Sequence, residues 1–153
     1  MRIASVIGVT LGLHLVLAAA GCGTTPEVAD PLTGTTWQLI KIESMAPDEQ
    51  PSTEIEQRSE YTVTFGDDGK AGFRVDCNRG NSTWKRDGEG SSGGLTFGPI
   101  AVTKMMCPKP SNDTEVAAAL ARVRSYLVKD GKLHLSLEAD SGIMHFEPLP
   151  TGQ

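Results

Sequence analysis

Six side chains in this 153-residue sequence carry the chemistry of nucleophiles and soft metal ligands: Cys22, Cys77 and Cys107, and His14, His134 and His145. A thiol nucleophile needs a neighbouring base and an accessible, electropositive setting that lowers its pKa. Cys77, in "VDCNRGNSTW", has Asn78 and Arg79 beside it, whereas His134 and His145 stand far downstream in strand-like segments. Zinc takes about four ligands at closing spacing, and these cysteines and histidines form no paired motif. Asp67 and Asp68 belong to a turn-like "GDDG", and the glycine-rich "DGEGSSGG" lacks the Gly-Lys-Ser/Thr ending of a phosphate loop. No catalytic residue, metal ligand or cofactor is assigned, and the chain is expected not to be an enzyme. Arg74, Asp76, Asn78 and Arg79 remain as a candidate binding surface around Cys77; for Asn78 the alternative is a side chain that holds the local turn.

Cys22 has a different setting. Met1-Arg2 is a minimal positive start, residues 3–17 are almost wholly apolar, and residues 18–22 read "AAAGC". That is the pattern of an export signal, marginal in length for spanning about 30 Å of hydrocarbon. The small residues before the cysteine resemble a bacterial lipobox, with Ala19 where leucine is usual. The resemblance implies cleavage after Gly21, acylation of Cys22 and anchoring to a membrane through that lipid. Gly23, where Asp is absent, implies the periplasmic face of the outer membrane. Residues 1–21 then form a signal peptide, residues 22–31 a polar tether with two prolines, and residues 32–149 the domain.

Without the signal 132 of the 153 residues remain, enough for one domain. Loss of Arg2 takes the net charge from −5 to −6. An acidic chain without a basic cluster argues against general binding to nucleic acid or anionic lipid. Two cysteines left in an oxidising compartment usually pair, so Cys77 and Cys107 are expected to form a disulfide. Closing a loop of that length stabilises a fold by roughly 3–4 kcal/mol.

The elements around these residues are short runs with turn punctuation, the signature of an antiparallel sheet. Residues 35–43, "TTWQLIKIE", read as a strand with Trp37 and Leu39 on one face and Ile40 and Ile42 on the other. Residues 45–59 read as a loop or short irregular insertion. "YTVTF" alternates cleanly, "GDDG" supplies a hairpin, and "KAGFRVDC" turns Ala71, Phe73, Val75 and Cys77 toward the core, with Arg74 and Asp76 outward. Arg79-Gly80 reads as a turn before a strand holding Trp84. Residues 87–94 read as a flexible connection, and residues 95–107 as two further short strands. Val116, Leu120, Val123 and Leu127 recur at helical steps, predicting a helix over residues 114–126 capped by Ser111, Asn112 or Asp113. Asp130-Gly131 makes a hairpin, Leu133, Leu135 and Leu137 an inward stripe, and residues 142–148 close the sheet. The expected fold is α+β: a curled or barrel-like antiparallel sheet of about seven to nine strands with one packed helix.

Taken in order, Gly34-x-x-Trp37-x-Leu39, Phe65-x-x-x-Gly69, Cys77-Asn78-x-Gly80 followed by Trp84, Leu95-x-Phe97, and Ile100-Ala101-x-Thr103-x-Met105-x-Cys107 resemble the META domain, the family of the heat-shock lipoprotein HslJ. The resemblance covers residues 32–148. Many members carry Gly directly before the Cys-Asn pair, where this chain has Asp76. The resemblance implies an envelope lipoprotein connected with heat-shock response and tolerance of novobiocin, and it brings no catalytic residues. The expected function is therefore a non-enzymatic envelope lipoprotein, holding an envelope protein partner or supporting the envelope under stress. The alternative is an inhibitor of a secreted hydrolase such as lysozyme or a protease.

Overall fold

The computed structural model describes residues 30–45 and 52–150; the expected signal peptide, Cys22 and most of the expected tether lie outside them. Asp30, counted with that tether, is fixed to the domain by an ion pair to Arg86 at 2.9 Å.

The strands are β1 (Thr35–Ser44), β2 (Ser52–Glu54), β3 (Tyr61–Phe65), β4 (Lys70–Val75), β5 (Asn78–Asp87), β6 (Ser92–Phe97), β7 (Ala101–Val102), β8 (Val123–Lys129), β9 (Lys132–Leu137) and β10 (Gly142–Pro148), with the helix α1 (Asp113–Ala121) between β7 and β8. Eight of them close an antiparallel barrel in the order β1-β3-β4-β5-β6-β8-β9-β10. Closure comes from β10 returning to β1, from Trp37↔Pro148 to Ser44↔Gly142. Two short strands are additional: β2 continues the β3 side of β1, and β7 continues the β6 side of β5.

The barrel interior follows from period-two alternation. Val63 and Phe65 of β3, Phe73 and Val75 of β4, Leu133 and Leu135 of β9 and Met144 and Phe146 of β10 are all buried in one core. Phe65 meets the edge of Trp84 at 5.2 Å, and Phe73 that of Phe97 at 5.1 Å, geometries the ring quadrupole favours. The helix α1 adds Val116, Ala119 and Leu120 to the same core.

The tight turns are chemically determined. Gly69 takes φ +74° in the β3–β4 hairpin, while the carboxylate of Asp68 accepts the Lys70 N–H at 3.0 Å. Asp130 and Gly131 take φ +52° and +70° between β8 and β9, the left-handed pair such a two-residue loop requires.

Four expectations are corrected. The register of β1 slips between Leu39 and Lys41, so Ile40 is the extra residue of a bulge and Ile42, not on the opposite face, joins Leu39 in the core. The Ile40 carbonyl accepts the Ile55 N–H at 2.9 Å, and within residues 45–59, expected as a loop or short irregular insertion, the described residues include β2 and a 3-10 turn, Arg58–Glu60. The helix stops at Ala121 because Val123 of β8 pairs with Leu137 of β9; Val123, expected on the helix face, is a strand residue, and Leu127, which fits the helical steps and equally the strand-like run from Tyr126, lies in β8 and is 40% exposed. The turn expected at Arg79-Gly80 lies instead at Asp76-Cys77, and Arg79 and Gly80 are residues of β5.

Candidate functional site

The β4–β5 turn places the candidate residues. Val75 pairs with Asn78, leaving Asp76 and Cys77 as the turn, and Asp76 takes φ +57°. This left-handed position suits glycine, which gives a physical reason for Gly at this point in relatives. Because the turn falls here, Cys77 does not enter the core as a strand residue but sits half-buried beside it, bonded to Cys107 with S–S 2.03 Å and Cα–Cα 5.5 Å.

Asn78, expected on the outward face or turn, is 3% exposed and points inward. Its Oδ1 accepts the Met105 N–H at 2.7 Å and the Thr103 hydroxyl at 3.0 Å. Its Nδ2 donates to the Met105 carbonyl at 3.2 Å, with Cys107 Sγ at 3.3 Å and the Asp113 carboxylate at 3.5 Å. One buried amide thus imitates a strand neighbour for Met105 and ties β5, residues 103–107 and the start of α1 together. Of the two readings of Asn78, turn-holder or ligand contact, its bonds are those of a holder, although what it holds is the far segment.

Gly80 completes the arrangement. A Cβ there would lie 3.0 Å from Val102 Cγ2 and 3.1 Å from the Ala101 carbonyl, so a larger residue would push β7 back from β5 by a few tenths of an ångström. The two motifs that read separately in the sequence are therefore one device across β5: Cys77 bonds Cys107, Asn78 holds Thr103 and Met105, and Gly80 receives Val102.

The remaining candidates lie outside. Arg74 and Arg79 face each other across β4 and β5. Arg74 is ion-paired with Glu60, while Arg79 is exposed and donates to the Asp76 carbonyl at 3.1 Å. Arg74, Asp76 and Arg79 thus share the outer rim of the hairpin, separated from the inward Asn78.

Beside the disulfide runs an open, largely apolar groove of about 450 Å³, lined by residues including Val75, Val102, Met105, Met106 and Ala117. Met105 is 56% and Met106 97% exposed, large values for apolar side chains. In the sequence Met105 stands out only as a position of the family motif, and Met106 is one of its unspecified positions. The signal that sequence reasoning passed over is a Met pair in a non-periodic segment immediately before a cysteine.

A second cluster was also missed. His134 and His145, distant in sequence, pair across β9 and β10 with their Nδ1 atoms 2.8 Å apart, and His145 Nε2 is 3.1 Å from a Glu43 oxygen. Burial is the largest cause pushing both imidazoles below their ordinary pKa; Lys132 and Lys129 add to it for His134, and His134 and Lys41 for His145, against the opposing pull of Glu43. Among the described residues no group of three or more His, Cys, Asp or Glu side chains is arranged to hold a metal ion.

Among solved structures the chain is similar to an NMR structure of a protein from Burkholderia xenovorans, with a TM-score of 0.62 and 19% identity over 92% of this chain and 99% of that one. It is also similar to the crystal structure of a DUF4847 family protein from Bacteroides vulgatus, with a TM-score of 0.52 and 18% identity over 74% of this chain and 92% of that one. At such identities the likeness shows a shared fold. No curated protein matches the chain. The META domain family model matches residues 30–148, and that span contains both halves of the device built across β5; the chain belongs to the META domain family.

Proposed function

We propose that this protein is a lipid-anchored envelope protein that works by holding a protein partner under stress conditions, not by catalysis. The observation that carries this reading is the projecting segment of residues 103–107. It exposes Met105 and Met106 while a disulfide and a buried amide fix its course. Exposed apolar side chains on a fixed support mark interaction sites. The export pattern ending at Cys22 and the Cys77–Cys107 bridge both suit an oxidising envelope compartment.

The test has two arms in a Gram-negative host. Labelling with a clickable palmitate analogue should mark the wild-type chain and not C22S, and C22S should leave the membrane fraction; equal labelling or equal distribution of the two removes the anchor. Crosslinking from position 106 should capture a defined envelope protein from the anchored chain; an absence of adducts above those of a probe at exposed Leu127 sinks the docking role.

The second reading is inhibition of a secreted hydrolase. It is favoured by the same segment, because a fixed, exposed loop loses little conformational freedom when it enters an enzyme cleft.

A further inference from the structure

Residues 103–106 follow β7 outside any regular element, with an orderly division of backbone groups. Thr103 N–H donates to the Arg79 carbonyl at 2.9 Å, and Met105 gives both its N–H and its carbonyl to Asn78. Among the described residues the backbone N–H and C=O of Lys104 and of Met106 have no hydrogen-bond partner. The Met106 side chain, one residue before the bonded Cys107, is 97% exposed.

We propose that residues 104–106 form a substrate-like binding loop for an endopeptidase whose primary pocket accepts an unbranched apolar side chain, with Met106 filling that pocket. The proposal rests on the hydrolase-inhibitor reading and narrows it to one enzyme class and one residue. Endopeptidase clefts take extended chain by strand addition, bonding the backbone of alternate residues; Lys104 and Met106 offer that pair, while Met105, whose backbone is committed inward, lies between them. An unbranched thioether adapts to an apolar slot. The brace on both sides, Asn78 at Met105 and the Cys77–Cys107 bond just beyond, holds the loop in one course and keeps the chain on either side of Met106 together. Residues 103–110 carry Lys104 and Lys109 and no acid in a chain of net charge −5, and exposed Arg79 lies beside Thr103. The complementary cleft therefore has an acidic rim. A lipid surface could engage the same methionines and lysines but has no use for unbonded backbone groups, and a second copy could pair the same segment; both are decided by the test.

The full chain, purified in detergent from whole cells so that anchoring is not a condition, is assayed against chymotrypsin and subtilisin with chromogenic peptides, with trypsin and lysozyme alongside. The expected result is saturable inhibition of chymotrypsin or subtilisin by a chain that stays uncut on reducing gels. M106E should weaken it by roughly thirty-fold or more, the size of an interface hot spot, and M106K should move inhibition to trypsin. Melting curves equal to wild type confirm that these exposed-site variants fold. Inhibition of lysozyme alone overturns the peptidase loop while leaving the hydrolase-inhibitor reading in place; inhibition of none of the four removes both. Equal potency of M106E, or rapid cutting after Met106, also overturns the proposal. So does Met106-dependent dimerisation on gel filtration, or Met106-dependent sedimentation with phosphatidylethanolamine–phosphatidylglycerol vesicles, when no peptidase is inhibited.

Discussion

The side chain of Asn78 shows how much one buried amide can organise. Its oxygen accepts from two groups and its nitrogen faces the Met105 carbonyl, so both ends are needed. N78A leaves the Met105 N–H and carbonyl without their partner and should cost about 2–4 kcal/mol, given roughly 1–3 kcal/mol per buried unsatisfied group. N78D keeps the shape and the acceptor but loses the donor, and it brings a carboxylate toward Asp113. It should be at least as damaging as N78A in urea denaturation; near-wild-type stability of N78D would refute the two-ended role. Asp76 makes the opposite prediction. Its φ of +57° is strained for a residue with a Cβ, so D76G should stabilise by up to about 1 kcal/mol, read as a rise of a few degrees in melting temperature. An unchanged or lower value would mean that the carboxylate contributes more than the backbone strain costs.

At the scale of the elements, what was legible in the sequence is what local chemistry decides. The alternation of β3 and β4, the "GDDG" and Asp130-Gly131 turns and the inward leucines of β9 depend on neighbours within a few residues. The β1 bulge depends on β10 and on Ile55 across the sheet, and the early end of α1 depends on Leu137 claiming Val123. The candidate site suffered most from a small displacement. Placing the turn at Arg79-Gly80 instead of Asp76-Cys77 inverts the faces, because side chains alternate with period two. Cys77 was thus sent inward and Asn78 outward, while the truth required knowing that Asp76 takes a left-handed backbone. The histidine pair belongs to this scale too, since only the register of β9, β10 and β1 creates it. Both imidazoles lie below the ordinary value of 6.5 in the folded chain. Below that pH the unfolded chain binds more protons than the folded one, so stability is full above it and falls as the pH drops. The urea midpoint should therefore decline from pH 7.5 to pH 5, more steeply in wild type than in the double variant H134Q/H145Q. Parallel declines would show that the pair contributes nothing, whatever Lys41, Glu43, Lys129, Asp130 and Lys132 around it do.

For the whole molecule, the disulfide and the barrel are separable supports. The Cys77–Cys107 bond spans 30 residues of sequence, and its removal in C77S/C107S should cost roughly 3 kcal/mol on the chain-entropy estimate. The ladder that closes β10 on β1 does not pass through it. Hydrogen exchange should therefore quicken in residues 103–107 while β1, β3, β9 and β10 stay protected; uniform loss of protection would show that the barrel needs the bridge. The closure itself bears on how the chain is made. Its first strand is also the last to be completed: Trp37 and Leu39 wait for Pro148 and Phe146. A polypeptide emerging from a ribosome or a translocase amino-terminus first must carry β1 with one edge open until β10 is out. The barrel thus cannot close before β10 has emerged, and its open-edged precursor, rather than the folded protein, is the species most exposed to proteases and misassociation.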